Sequence, residues 1–424
     1  MIRFIHAADI HLDSPLKGLE KYEGAPPVEA IRGAARRALE NLVKVAIERR
    51  VDFVLIAGDV YDGDWKDHNT GLFFVTQMNR LREAGIPVVM ISGNHDAANK
   101  MTKNLRLPDN VERLPHAQPA TARNPKLAEL GVAVHGQSFG ERAESSNLVD
   151  GYPTKAAGLF NIGLLHTSLE GGEGHVAYAP CSLDDLKRKE YDYWALGHVH
   201  TRAVRCEAPY VVYPGNIQGR HIRETGSKGC YLVGLDDRGR CELEFVPLDV
   251  LRWEVCELDA TPHSRPDDLC EAFAGWLQSK RQVHGGLPLC VRLVVTGASA
   301  VHGVLHADAT RWTNEIRSVA AASSECPVWV EKVAWRTSAG HSRIDAEDTS
   351  GPMGLLSDYV AELLNDDVEL KALAGGLADL RRKLPEALTV GDDALLMDGP
   401  DQMRQWIKQI EPLLLDRLRE GSDA

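Results

Sequence analysis

The stretch Val51-Asp52-Phe53-Val54-Leu55-Ile56-Ala57-Gly58-Asp59-Val60-Tyr61-Asp62 decides the fold. Phe53 to Ala57 is apolar without alternation, the pattern of a strand buried on both faces in a sheet flanked by helices. Gly58 ends the run and Asp59 follows at once, so a carboxylate stands where strand gives way to loop. The same arrangement recurs along the chain. Asp9-Ile10-His11 follows the run at 2–8, and Gly93-Asn94-His95-Asp96 follows the run at 87–92. His166 closes Leu164-Leu165-His166, and Gly197-His198-Val199-His200 follows the run at 192–197. Polar residues at the carboxyl ends of neighbouring strands converge on one point in an open α/β sheet.

Further apolar runs at 132–137, 161–166, 209–213 and 229–235 read as strands. Helical spacing at 28–50 (Val28, Ile31, Ala35, Leu39, Leu42, Val43, Ala46) and at 69–84 (Leu72, Val75, Met78, Leu81) separates the first three strands. Strands alternating with helices predict βαβ units and a largely parallel beginning. From about residue 130 the strands crowd together, which predicts a second, more antiparallel sheet packed against the first. Residues 251–340 read as a compact βαβαβ unit, with strands at 252–258, 288–295 and 328–335 and helices at 266–282 and 307–321. The stretch 338–354 reads as a linker, and helical patterns follow at 355–370, 372–384 and 402–419. The expected fold is therefore α/β (α+β): a two-sheet sandwich flanked by helices over 1–250, a small βαβαβ domain over 251–340, and a linker with C-terminal helices over 341–424.

A chain of 424 residues exceeds one ordinary core, consistent with that division. No apolar run reaches the length of a membrane span. Cleavage of an N-terminal leader would remove Asp9 and His11, so no such leader is expected. The eight cysteines (181, 206, 230, 241, 256, 270, 290 and 326) form no CxxC pair and read as reduced thiols of a cytoplasmic protein. Net charge is −13, but it is uneven. Residues 1–250 hold 30 Lys+Arg against 33 Asp+Glu, and residues 251–424 hold 18 against 28. The first part is the better candidate for meeting an anionic substrate.

Asp9 and His11 are two apart, so in extended backbone they share a side and reach one ion. Asp59 is placed to bridge two ions, Asn94 offers a neutral amide oxygen, and His166, His198 and His200 complete a seven-residue set. The glycines before Asp59, Asn94 and His198 are expected to let the backbone turn sharply and approach the ions. Two divalent cations bring +4 and the carboxylates of Asp9 and Asp59 bring −2. The balance still attracts a phosphodiester, and ions roughly 3.5–4 Å apart suit in-line displacement. Oxygen and nitrogen ligation without thiolate suits manganese, iron or zinc. His95 is free to protonate a leaving oxygen or stabilise the transferring phosphate, with Asp96 orienting its other nitrogen and Asp62 in support. Any one histidine alone reads as an ordinary core or surface residue. Five clusters in this order do not.

The pattern D-x-H, G-D-x-x-D, G-N-H-D, H, G-H-x-H, present across about residues 1–240, resembles the calcineurin-like metallophosphoesterase superfamily. Within it the chain is similar to DNA repair nucleases of the SbcD type. Phe4-Ile5-His6-Ala7-Ala8-Asp9-Ile10-His11-Leu12-Asp13-Ser14-Pro15-Leu16 and Tyr213-Pro214-Gly215-Asn216-Ile217-Gln218-Gly219-Arg220-His221 resemble its bacterial YhaO branch. The resemblance implies one ion on Asp9, His11, Asp59 and His200, and another on Asp59, Asn94, His166 and His198. It implies His95 as the catalytic histidine, manganese as the metal, and DNA as the substrate of an exonuclease and often endonuclease. It also implies an SMC-like coiled-coil ATPase as partner and a capping role for residues 251–340. Archaeal and eukaryotic relatives usually carry histidine where this chain has Asp62.

Phosphate contacts are expected from Arg202, Arg205, Arg220, His221, Arg223 and Lys228, weighed evenly against surface pairing of Arg223 with Glu224 or neighbouring acids. The last helices carry Leu363, Leu364, Leu370, Leu373, Met403, Ile407, Ile410, Leu414 and Leu418, a core stripe first and a partner surface second. The loops and helices after strands one and two offer a two-fold contact for a homodimer. A cyclic-nucleotide phosphodiesterase, a phosphoprotein phosphatase and a non-catalytic scaffold are the competing readings. The full ligand set with His95 argues against the scaffold.

Overall fold

The computed structural model describes residues 2–14, 33–62, 69–98, 105–170, 178–236, 238–322, 327–339 and 351–377. Beyond these it describes 379, 383, 399–404, 406–408, 410 and 414. The chain divides into two compact units. One comprises Met1–Val255, His284–Val291 and Ser324–Glu331, and the other Cys256–Val283, Arg292–Ser323 and Lys332–Ala424.

The first unit is built on β1 (Ile2–Ala7), α1 (Ala34–Glu48), β2 (Phe53–Ala57), α2 (Asn69–Glu83), β3 (Val88–Ile91), α3 (Asn94–Ala98) and β4 (Val111–Arg113). It continues with β5 (Ala120–Thr121), α4 (Pro125–Glu129), β6 (Val132–Gly136), β7 (Phe160–His166), α5 (Leu183–Arg188) and β8 (Tyr193–Gly197). Four further strands close it: β9 (Ala203–Glu207), β10 (Tyr210–Tyr213), β11 (Gly229–Leu235) and β12 (Cys241–Pro247). One sheet runs β12-β11-β1-β2-β3-β4, the other β5-β6-β7-β8-β10-β9.

Alternation inside β2 builds the layers. Phe53, Leu55 and Ala57 point inward with Phe4 and Val89 to meet Val134, Ile162, Leu164 and Tyr193 of the second sheet. Val54 and Ile56 point outward with Ile5, Val88 and Met90 against Leu39, Leu42 and Val43 of α1 and Phe74 and Met78 of α2. The outer face of the second sheet, with Leu165, Trp194, Leu196 and Val211, is covered by Leu148, Val149 and Leu186. The result is a helix–sheet–sheet–helix sandwich.

The second sheet differs from expectation. β6, β7, β8 and β10 are mutually parallel, and only its edges β5 and β9 are antiparallel. The antiparallel strands instead return to the first sheet, where β11 pairs with β1 and β12 with β11. Close spacing had suggested antiparallel neighbours, but the segment 137–159, α5 and the edge strand β9 carry the chain between the parallel strands.

The remaining sheet has the order β13 (Arg252–Asp259), β14 (Leu289–Ser299), β15 (Val328–Ala339). α6 (Pro266–Val283) lies between the first two strands, and α7 (His302–Ala307) and α8 (Ala309–Ala321) lie between the last two. One helix was expected at 307–321, but Asp308 starts a new one by accepting from Arg311 N–H. Likewise the pattern at 355–370 is two helices, α9 (Pro352–Leu364) and α10 (Asp367–Gly376), because the Asp366 carboxylate accepts from Val368 and Glu369 N–H. Val28 and Ile31, most of the linker, part of the pattern at 372–384 and most of that at 402–419 fall outside the described residues. Seven cysteines are free thiols, and Cys326 is not among the described residues. No described helix is long and apolar enough to cross a membrane.

Candidate active site

The loops after β1 and β2 continue side by side past the ends of their strands. Asp9 N–H donates to Gly58 O at 3.1 Å, His11 N–H to Asp59 O at 3.0 Å and Leu12 N–H to Val60 O at 2.9 Å. Asp9, His11 and Asp59 adopt left-handed φ of 51°, 46° and 52°, and His198 has φ 97°. Each such residue costs on the order of 1–3 kcal/mol unless its surroundings hold it, and such residues concentrate where side chains must be aimed. Here the paired loops hold three of them, and the fourth is held by its own N–H, which donates to both Asp9 oxygens at 3.1 Å.

Three glycines surround the His166 ring. A Cβ on Gly58 would lie 2.6 Å from His166 Nδ1, one on Gly93 2.7 Å from His166 Cε1, and one on Gly197 2.9 Å from His166 Nδ1. Gly58 also needs its φ of 92°. Gly93 and Gly197 have no such φ; rather than turning the chain, Gly93 makes room for the Asp59 carboxylate and the imidazole, and Gly197 for the Ala57 carbonyl and the imidazole.

Hydrogen bonds fix which ring nitrogens can bind a cation. His166 Nδ1 lies 2.9 Å from Ala57 O, and since a carbonyl only accepts, Nδ1 carries the hydrogen. His166 Nε2 then faces Asn94 Oδ1 at 3.0 Å and Asp59 Oδ2 at 3.4 Å, both acceptors. His200 Nδ1 lies 2.6 Å from Glu224 Oε1, and His11 Nδ1 lies 3.2 Å from Asp62 Oδ1. The hydrogen on His200 Nδ1 leaves its Nε2 as a lone pair, 3.1 Å from His11 Nε2, whereas His11 Nδ1 makes no hydrogen bond to Asp62. Two nitrogens this close need a hydrogen or a cation between them. The same demand shows in His166: burial pushes its pKa down, but Asp59 outweighs burial and lifts it to about 9. Asp9, His11 and His200, and separately Asp9, Asp59 and His166, bring donor atoms within 4.8 Å of one another. The donor set fits divalent cations, which Asp9, His11, Asp59, Asn94, His166 and His200 would hold.

His198 joins them through its ring, edge-on to His166 with centroids 5.2 Å apart, and against Tyr178 at 5.3 Å. Burial, aided by neighbouring His166, pushes its pKa down to about 3, so the ring is neutral.

His95 lies alongside, its ring 4.9 Å from that of His11. The carboxylate at its Nδ1 is Asp62, at 3.1 Å, where sequence reasoning had placed Asp96. Asp96 instead accepts from the N–H groups of Val60, Tyr61 and Gly93, tying the loop after β2 to the loop after β3. Burial, then the charge of Asp59, pushes Asp96 up to about 7. Asp62 also touches His11 and accepts from Ser14 Oγ at 2.7 Å. Burial would raise its pKa, but His11 and His95 hold it well below the carboxylate range. For His95 burial lowers the pKa, yet hydrogen bonding to Asp62 and the charge of Asp59 raise it overall.

The six basic residues expected on phosphate divide into two groups. Arg202, Arg205 and Arg223 are exposed; Arg202 stacks on Phe245 at 3.7 Å and Arg205 pairs with Glu170 at 3.2 Å. Arg220, His221 and Lys228 are turned into the protein. Arg220 meets Asp62 and Glu224, His221 lies 3.5 Å from Glu224, and Lys228 Nζ donates to His200 O at 3.2 Å. Sequence reasoning missed Glu224 as a part of the site. It is 5% exposed and bonded to His200, although the sequence had suggested a surface acid beside Arg223. Its only signal was being the one acid in the run Arg220-His221-Ile222-Arg223-Glu224.

Comparison with known proteins agrees with this geometry. Residues 2–202 match the family model for calcineurin-like phosphoesterases, and residues 253–338 match that for the middle domain of the metallophosphoesterase YhaO. The chain is 37% identical over 299 residues to the metallophosphoesterase YhaO of Bacillus subtilis (strain 168), covering 70% of this chain and 72% of that protein. It is 31% identical over 170 residues to the DNA double-strand break repair protein Mre11 of Sulfurisphaera tokodaii, covering 39% and 42%. It is 24% identical over 290 residues to the SbcD component of the SbcCD nuclease from Staphylococcus epidermidis, covering 61% and 73%.

Proposed function

Since the chain belongs to the calcineurin-like metallophosphoesterases, we propose that it is a manganese-dependent DNA nuclease acting in repair, an exonuclease foremost. The observation that carries the hydrolytic part is the convergence of the Nε2 atoms of His11, His166 and His200 on Asp9, Asp59 and Asn94, with His95 beside them. The choice of DNA rests on the similarity to relatives named as a double-strand break repair protein and a nuclease component.

Two divalent cations held by the ligand set would supply neutralisation of phosphate charge and a nucleophile drawn from water. The chain's own groups do the rest. His95 is 31% exposed at its side chain, with Nδ1 held by Asp62, so its Nε2 is the face turned to substrate. Asp62 favours the protonated ring, which suits a donor to the leaving oxygen or a brace for the transferring phosphate. A cation near Asp59 would offset that residue's share of the effect and leave the share of Asp62. Arg202, Arg205 and Arg223 are the exposed cations to follow a DNA backbone without reading sequence. Residues 251–340 serve as the capping domain that helps admit DNA, and an SMC-like ATPase is the partner we assign, docking on the C-terminal helices.

Hydrolysis of end-labelled linear DNA and of bis-p-nitrophenyl phosphate, with manganese, magnesium or chelator, tests this reading. Cleavage of both by the wild type, dependent on manganese and reduced about 10²–10⁴-fold in His95→Ala, is expected. Hydrolysis of the small diester with DNA left intact, in the presence and absence of the ATPase, would shift the assignment to a small-molecule phosphodiesterase.

A further inference from the structure

We propose that Glu224 and Arg220 are positioning residues for the metal-facing histidines, a clamp behind His200 and His11 that does not contact substrate phosphate. This inference rests on the metallophosphoesterase reading of the site and extends it to the loop after β10, where Arg220 had been expected to meet phosphate.

That loop is folded around one carboxylate. Glu224 accepts from Arg220 N–H at 2.7 Å, Asn216 Nδ2 at 2.8 Å, Arg220 Nη2 at 3.2 Å and His200 Nδ1 at 2.6 Å. Its own N–H closes a turn onto His221 O at 2.9 Å. Gly219 lets the loop close: a Cβ there would lie 2.7 Å from Glu224 O and 2.9 Å from the Trp253 ring. Asn216 is fully buried and also donates to Gln218 O at 2.8 Å, so the loop has few other ways to satisfy its polar groups.

The 2.6 Å contact decides the His200 tautomer. A ring nitrogen comes that close to an ionised carboxylate oxygen only with a proton between them, so Nδ1 donates and Nε2 is left as a lone pair aimed at the metal side. Arg220 Nη2, 3.2 Å from the same nitrogen, therefore serves Glu224 and not the ring. The other arm, Nη1, reaches Asp62 Oδ1 at 3.4 Å, and Asp62 stands behind both His11 and His95. One guanidinium thus joins the two carboxylates that lie against three imidazoles. With 13% of its side chain exposed and both arms on carboxylates, it presents little to a DNA backbone. Partners of this kind set ring orientation and basicity, and their loss typically weakens metal binding about 10–100-fold.

The test is manganese affinity and stoichiometry, read by electron paramagnetic resonance of free Mn²⁺ over metal-free protein, for wild type, Glu224→Gln, Arg220→Lys and Asp249→Asn. Glu224→Gln keeps shape and one acceptor oxygen but loses the charge. Arg220→Lys keeps the charge but cannot bridge two carboxylates. Asp249 is a buried acid that holds Arg252, so its variant reports general loosening of the region. Expected is a tenfold or greater loss of affinity at one of the two ions in Glu224→Gln and a smaller loss in Arg220→Lys, with Asp249→Asn melting earlier yet binding manganese as wild type does. Unchanged manganese affinity in Glu224→Gln and Arg220→Lys would overturn the clamp, as would a rise in KM for DNA alone in Arg220→Lys, the signature of a phosphate contact. Should Glu224→Gln not fold, Arg220→Lys still separates these outcomes. A wild type that takes up no manganese would instead overturn the metal reading itself.

Discussion

His6 and His166 are both fully buried histidines of the same sandwich, yet their surroundings drive them in opposite directions. Near His166 the carboxylate of Asp59 outweighs burial. His6 has only neutral partners: one ring nitrogen lies 3.0 Å from the Tyr193 hydroxyl and the other 3.1 Å from Leu196 O, and burial pushes its pKa down to about 3. The unfolded chain binds a proton at this residue below about 6.5, and the folded chain does not until about 3. Stability from His6 is therefore complete above about pH 6.5 and is lost as pH falls from there toward 3, at about 1.4 kcal/mol per unit. Urea unfolding between pH 8 and pH 5 should show this slope, and His6→Gln should flatten it by about one proton while lowering stability at pH 8. Equal slopes in the two proteins would show that His6 does not carry the acid sensitivity. At this scale the donors were legible in the sequence, because strand-end polar residues stand out against apolar runs. The partners that orient them were not. Glu224 lies 24 residues from His200 along the chain, and no periodicity links them.

Elements buried on both faces were read almost to the residue. The run at 229–235 is β11 (Gly229–Leu235), and the run at 52–57 is β2 (Phe53–Ala57). The strands that escaped, β4, β5, β9 and β12, lie at sheet edges, where half-exposed positions such as Val111, Ala120, Ala203 and Cys241 leave no continuous apolar signal. Direction within the second sheet was not legible either, because parallel and antiparallel neighbours bury the same residue types. The loops at the strand ends have their own constraint, in which close approach matters more than composition. Gly93→Ala places a methyl against Asp59 Oδ1 and 2.7 Å from His166 Cε1, between a first-sheet loop and a second-sheet ring. Neither neighbour can withdraw, since Asp59 Oδ1 holds His95 N–H at 2.9 Å and His166 holds Ala57 O. Gly93→Ala is expected to keep its far-UV circular dichroism and to lose manganese affinity by tenfold or more. Retention of wild-type affinity would mean that the loops yield where the packing says they cannot.

Across the whole molecule the proposed ligands come from both layers of the sandwich. Asp9, His11, Asp59 and Asn94 follow strands of the first sheet, and His166, His198 and His200 close or follow strands of the second. Cations bound among them would join the sheets at one end, where the metal-free protein holds Asp9 and Asp59 as neighbouring buried acids whose charges oppose each other. Binding to the folded chain alone adds RT ln(1 + [L]/Kd), about 2.7 kcal/mol per ion at a hundred times its dissociation constant. For a unit of this size each kcal/mol moves the melting temperature by about 2–4 °C. Two ions should therefore raise the melting temperature of the chelator-treated protein by about 10 °C or more at saturating manganese, and the rise should continue as manganese increases beyond saturation. His166→Gln should lose a large part of this response, because it removes an Nε2 fixed by the Ala57 carbonyl. His95→Ala should keep most of it, since His95 is assigned to substrate. Melting curves that superpose with chelator and with manganese would rule out cations as a link between the sheets. An equal loss of response in the two variants would place His95 among the ligands, with His11 and Asp59, whose donor atoms it already approaches within 4.8 Å.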